Sequence, residues 1–130
     1  MQTPNHAINW FEIPVSDFDR AKKFYESILE YEMPAREVNG VRMAFFLYDA
    51  SHEGRGGAIV YDPSFYLPSE NGALIYLNCE SDLQPVLDQV EKAGGDILRG
   101  KIAVSADAGL GYWALIRDSE GNRVALHSMA

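Results

Sequence analysis

Glu12 stands where a carboxylate could do chemistry. It lies in the run Ile8-Asn9-Trp10-Phe11-Glu12-Ile13-Pro14-Val15. Strand alternation puts Trp10, Glu12 and Pro14 on one face and Phe11, Ile13 and Val15 on the other. A charge on so apolar a segment is costly to bury unless it is paired. Glu12 could act as a general base with a raised pKa, or grip a cationic ligand. It could equally be a structural carboxylate hydrogen-bonded to Tyr76, Asn78 or an arginine. His127, on the face of Ala125, could complete an acid–base couple with Glu12, or could be an ordinary hydrogen-bonded strand histidine.

Trp10, Tyr48, Tyr76, Asn78 and Tyr112 form a second set, at positions expected to face inward. Binding sites combine an apolar wall with a few polar anchors, and Trp10 and Trp113 could stack on a planar or cationic ligand. Each of these aromatics could instead be core. His6 and His52-Glu53 read as terminal and loop residues. Neighbours such as His52 and Glu53 point to opposite sides of an extended chain, so they do not readily share a metal. The chain has no glycine-rich phosphate loop, nucleophile elbow or Ser-His-Asp order.

The elements that position these residues repeat. Ile8 to Val15, then Ser16-Asp17, then a helical stretch to about Glu30 is matched by Ala73 to Cys79, then Ser81-Asp82, then a helical stretch to Ala93. Each helix is followed by three strand-like runs, giving two βαβββ units around a central cavity. Ala21, Phe24, Tyr25, Ile28 and Leu29 recur at helical spacing, with Ser16 or Asp17 as cap. Arg36-Glu37-Val38 and residues 41–48 are strands joined by the hairpin turn Asn39-Gly40. Residues 50–57 read as a flexible polar loop, and Ala58 to Tyr61 closes the first unit. Leu83, Val86, Leu87 and Val90 line the second helix, which Gly94-Gly95 ends. Strands follow at 96–104, 111–117 and 123–128, with turns at Asp107-Ala108-Gly109 and 119–122. Between the units, residues 62–72 carry Phe65, Tyr66 and Leu67, read as packing against the sheet, with a lid over the cavity as the other possibility.

The length of 130 residues suits one domain with a real core. Hydrophobic content of 47% is globular, not disordered. A net charge of −8 with scattered basic residues argues against nucleic acid and is compatible with a cationic ligand. No apolar run is long enough for a membrane helix. The first six residues lack a signal pattern, so a cytoplasmic protein is expected. The single cysteine, Cys79, forms no intrachain disulfide and reads as a buried small hydrophobe.

Residues 13–25 (Ile13-Pro14-Val15-Ser16-Asp17-Phe18-Asp19-Arg20-Ala21-Lys22-Lys23-Phe24-Tyr25), Gly94-Gly95 and Asp118-Ser119-Glu120-Gly121-Asn122-Arg123-Val124-Ala125-Leu126 carry a resemblance. The chain resembles the glyoxalase / bleomycin-resistance / extradiol-dioxygenase (vicinal oxygen chelate) superfamily over nearly its whole length. The resemblance implies an α+β fold: two tandem βαβββ modules, about residues 6–62 and 73–130, forming an eight-stranded cupped mixed sheet, in a homodimer. It also implies a divalent metal held by His and Glu from the first and last strand of each module. Those positions fall at Trp10, Leu74, Ala125 and somewhere in residues 57–60, none of which offers a ligand atom. Glu12 and His127 lie two residues beyond the usual positions and could form a displaced site, but a third ligand is not evident.

The expected function is therefore cofactor-free, metal-independent binding of a small organic molecule, cationic or aromatic, in the central cavity. The alternative is a lyase, isomerase or dioxygenase-type enzyme using Glu12 as base or a displaced metal site. A third possibility is an accessory domain whose cavity is filled by side chains such as Trp10 and Leu74.

Overall fold

The computed structural model describes residues 1–106 and 109–130. The first module is β1 (Trp10–Pro14), α1 (Phe18–Leu29), β2 (Ala35–Val38), β3 (Val41–Phe45) and β4 (Gly56–Tyr61), with a short 3-10 helix at Ala50–His52 before β4. The second is β5 (Ile75–Asn78), two short helices α2 (Gln84–Leu87) and α3 (Val90–Ala93), β6 (Asp96–Ala103), β7 (Tyr112–Arg117) and β8 (Arg123–Ser128). The expected turn at Asp107-Ala108-Gly109 falls partly outside the described residues.

The eight strands form two four-stranded mixed sheets of the same topology, β1-β4-β3-β2 and β5-β8-β7-β6. In each, the first strand pairs in parallel with the last, and the connection through the helix supplies the crossover this requires. The hairpin between β2 and β3 turns at Asn39 and Gly40, both at positive φ (54° and 81°), as a two-residue hairpin turn of this kind demands.

Alternation decides which faces are buried. Ile13 of β1, Val15 just past it, Ala44 of β3, Ile59 of β4, Leu77 of β5, Ala114 and Ile116 of β7, and Val124 and Leu126 of β8 join Ala21, Phe24, Tyr25 and Ile28 of α1 in one core. Burying such side chains stabilises by about 1.5–3 kcal/mol each. Cys79 lies in this core, where burial pushes its thiol up to about 11, so it is a packing residue and not a nucleophile.

The two modules meet within the chain at the start of α1. Asp17 caps the helix by accepting the Arg20 N–H at 3.0 Å. Glu120, from the β7–β8 turn, reaches the same helix start. Its carboxylate accepts the backbone N–H groups of Ser16 (3.0 Å) and Asp17 (2.7 Å), the Ser16 hydroxyl, and the Arg20 Nε at 2.8 Å. Beside it Tyr25 donates to Asp118 Oδ2 at 2.6 Å, and the Asn122 amide donates to the Pro14 carbonyl at 2.7 Å.

Two expectations need correction. The stretch before Gly94 is not one helix: α2 ends at Leu87 and α3 begins at Val90. The Gln89 N–H bonds to the Val86 carbonyl three residues back, a tightened turn that bends the segment without leaving the right-handed region. Of the three large linker side chains, Tyr66 hydrogen-bonds Glu12 of β1, but Phe65 and Leu67 do not pack on the sheet. Phe65 and Leu67 are 82% and 75% exposed, because the turn at Asp62, whose carbonyl accepts the N–H groups of both Phe65 and Tyr66, projects them outward. Among the described residues no helix is long and apolar enough to cross a membrane.

Candidate functional site

A depression lies where β5 approaches the loop between β3 and β4. It is a cavity of about 450 Å3, lined among others by Phe11, Tyr31, Tyr48, Tyr76 and Asn78, and its size is that of a small-ligand site. The cavity is open rather than filled by side chains. Tyr76 is 54% exposed and is the shared wall of three depressions: this one, a second with Trp10 and Leu74, and a third with Trp113 and His127. Trp10 meets Phe45 and Tyr48 with ring centres 6.0 and 6.3 Å apart, and Tyr76 meets Trp113 at 6.1 Å, distances typical of favourable aromatic pairs.

Local backbone chemistry fixes this wall. Gly56 pairs with Trp10 in the β1–β4 register, and the Tyr48 ring lies where a Gly56 side chain would stand. Only glycine admits so close an approach. The Tyr31 hydroxyl accepts the Leu47 N–H at 3.2 Å and so holds the β3 end of the loop. The Asn78 Oδ1 accepts the Glu80 N–H at 2.9 Å; that leaves the amide NH2 of Asn78 for a ligand.

The same cavity gathers four polar, ionisable residues that the sequence did not single out as site residues: Asp49, His52, Arg55 and Glu80. Asp49 caps the 3-10 helix through the Ser51 N–H and takes His52 Nδ1 at 2.6 Å. Hydrogen bonds from Ser51 and then His52 hold the Asp49 carboxyl below its ordinary range. The signal was present as Asp49-Ala50-Ser51, an aspartate two residues before a serine, which favours a local side-chain turn. It is easily passed over inside a stretch that reads as flexible loop.

The predicted residues separate into groups. Trp10, Tyr48, Tyr76 and Asn78 lie along the cleft. Tyr112 lies apart, in a depression with Ala103 and Leu110, under the Lys101 ammonium at 4.8 Å. Glu12 is exposed rather than buried on an apolar face. It lines a different depression with Leu67, Asn122 and Arg123, and its hydrogen-bond partner is Tyr66, whose hydroxyl pKa the Glu12 charge raises. The partner comes from the linker and not from Tyr76, Asn78 or an arginine. His127 hydrogen-bonds the Leu110 carbonyl through Nε2 at 2.8 Å. Glu12 and His127 thus line separate depressions.

The sequence profile of the Glyoxalase/Bleomycin resistance protein/Dioxygenase superfamily matches residues 7–126. The chain belongs to this superfamily. Solved structures agree in fold. A glyoxalase/bleomycin resistance protein from Albidiferax ferrireducens is 19% identical with a TM-score of 0.69, over 95% of this chain and 99% of that one. A Vibrio cholerae integron cassette protein is 18% identical with a TM-score of 0.67, over the full length of both. A glyoxalase I mutant from Zea mays is 21% identical with a TM-score of 0.69, over 93% of this chain but 45% of that one, so this chain spans less than half of the maize enzyme. No curated protein sequence matches the chain.

The strand register locates the superfamily's metal-ligand positions in this chain. Ala125 pairs with Tyr76, and Ala58 pairs with Glu12. Tyr76 and Glu12 each stand two residues past Leu74 and Trp10, so the two modules correspond and the fourth ligand position narrows to Ala58. Trp10, Ala58, Leu74 and Ala125 offer no lone pair to a metal, and both alanines are fully buried. Among the described residues no three His, Cys, Asp or Glu side chains are placed to hold an ion. The residues present do not fit the superfamily's metal.

Proposed function

We propose that this superfamily member binds a small planar organic molecule in the cleft between β5 and the β3–β4 loop, without a metal or other cofactor. The observation that carries the reading is the 450 Å3 cavity walled by Tyr48, Tyr76, Phe11 and Tyr31 with Asn78 at its edge. An aromatic ring gains buried area and favourable ring contacts against Tyr76 and Tyr48, while the Asn78 amide fixes its orientation. The lack of donor atoms at Trp10, Ala58, Leu74 and Ala125 supports a cleft that works through shape and stacking.

An enzymatic reading, as lyase, isomerase or dioxygenase, would use Glu12 as base or a metal between Glu12 and His127. Their places in separate depressions favour binding over that reading. We also propose a cytoplasmic homodimer with no nucleic-acid or membrane partner. The charge of −8 and the exposed Phe65 and Leu67, suited to contact with a second protomer, support it.

The test is titration calorimetry with 2-naphthol on protein dialysed against EDTA. Saturable one-to-one binding, weakened about tenfold or more by Tyr76→Ala, a loss of roughly 1.4 kcal/mol, is expected. Binding that appears only after a divalent metal is restored would overturn the reading.

A further inference from the structure

We infer that the ligand is a zwitterion with an aromatic side group, of the aromatic α-amino acid class, its carboxylate on Arg55 and its ammonium on Glu80. This rests on the cleft being a binding site. Arg55 lines both the main cavity and the Trp10–Leu74 depression. Its Nη1 donates to the Glu53 and Gly54 carbonyls of its own loop, each at 3.0 Å. That pins the guanidinium while leaving Nη2 and Nε to meet a carboxylate. Among the described residues no carboxylate forms an ion pair with it.

Glu80, just past β5, lines the same cavity. Its backbone is left-handed, with φ 56°, and its N–H is tied to Asn78 Oδ1. A glutamate is an uncommon residue for that conformation, where glycine or asparagine would be unstrained. Its carboxylate has no partner among the described residues. The other two ionisable residues of the cavity, Asp49 and His52, are hydrogen-bonded to each other at 2.6 Å. One cation held by its own loop and one unpaired anion, both exposed, therefore line the same cavity without pairing with each other.

A ligand with a single charge would cover and desolvate one of these groups without compensating it, which is costly. A neutral ligand would do so to both. A ligand bearing both charges satisfies Arg55 and Glu80 together, and its aromatic group then lies against Tyr76 and Tyr48. The negative net charge of the whole protein does not decide the ligand's charge; the two unpaired groups in the cavity do.

Calorimetry with four compounds of similar shape tests this: phenylalanine, phenethylamine, 3-phenylpropionate and benzyl alcohol. Phenylalanine is expected to bind at least tenfold more tightly than each of the other three. Arg55→Gln should erase its advantage over phenethylamine, and Glu80→Gln its advantage over 3-phenylpropionate. Equal affinities for all four would leave the binding cleft standing and overturn the charge assignment. So would tighter binding of either singly charged compound, or a phenylalanine preference that survives both substitutions. Failure of all four compounds and of 2-naphthol to bind would overturn the cleft itself.

Discussion

The junction at the start of α1 and the mouth of the cleft are built from similar side chains and use them in opposite ways. At the junction Glu120 has no exposed side-chain surface, and its oxygens are spent on Ser16, Asp17, Ser119 and Arg20. Burial opposes its charge, but the Arg20 guanidinium, the Asp17 N–H and the two serine hydroxyls outweigh this and pull it down to about 2. At the cleft mouth Arg55 is hydrogen-bonded to the Glu53 and Gly54 carbonyls, and among the described residues neither its guanidinium nor the Glu80 carboxylate has an ion-pair partner. Polar groups that hold a fold together find partners within the chain. Charged groups left unmatched around an aromatic cavity point to a ligand.

Substitutions at the two regions should therefore separate stability from binding. The largest stability effect is expected for Glu120→Gln, which leaves Arg20 and the helix start without their anion. A loss of about 3 kcal/mol in urea unfolding checks it. The pH dependence has a definite sign. Glu120 titrates at about 2 in the folded chain against an ordinary 4.5. Its contribution is complete above 4.5 and is lost as pH falls from there toward 2. Asp118 works the other way, since burial raises its pKa. The acid-labile part of the stability should thus shrink in Glu120→Gln relative to wild type, measured by thermal unfolding between pH 5 and 2.5.

Gly56→Ala is intermediate and touches both properties. The added methyl group must displace the Tyr48 ring, so unfolding should show a loss of about 1–3 kcal/mol from overpacking together with weaker 2-naphthol binding. Tyr76→Ala sharpens the contrast. With its ring half in solvent, the change should move stability by less than about 1 kcal/mol while removing most of the binding. A Tyr76→Ala protein that unfolds like Glu120→Gln would erase the distinction between the two regions.

The sequence made the fold legible because it states the plan twice. Period-two runs, the Asp17 cap, Asn39-Gly40 and the closing Asp118 to Asn122 turn are local signals, and each has a local structural consequence. The bend at Asp88-Gln89 was not legible, since both residues keep right-handed backbone angles. The aromatic wall was partly legible: alternation selected Trp10, Tyr76 and Asn78. It also placed Glu12 toward the cavity, yet alternation fixes only the face of a strand, not which depression along that face a residue enters. The ionisable rim of Asp49, His52, Arg55 and Glu80 was missed because it is assembled from a loop of one module and a strand end of the other. No periodicity within either segment encodes that meeting.

The most direct test of a metal-free aromatic cleft is a two-dimensional amide NMR titration of EDTA-treated protein with 2-naphthol. Saturable shifts are expected at residues 46–56 and 76–80, with residues 16–20 and 118–122 unmoved. Shifts centred on Glu12 and residues 122–124, or no shifts until a divalent metal is added, would contradict it.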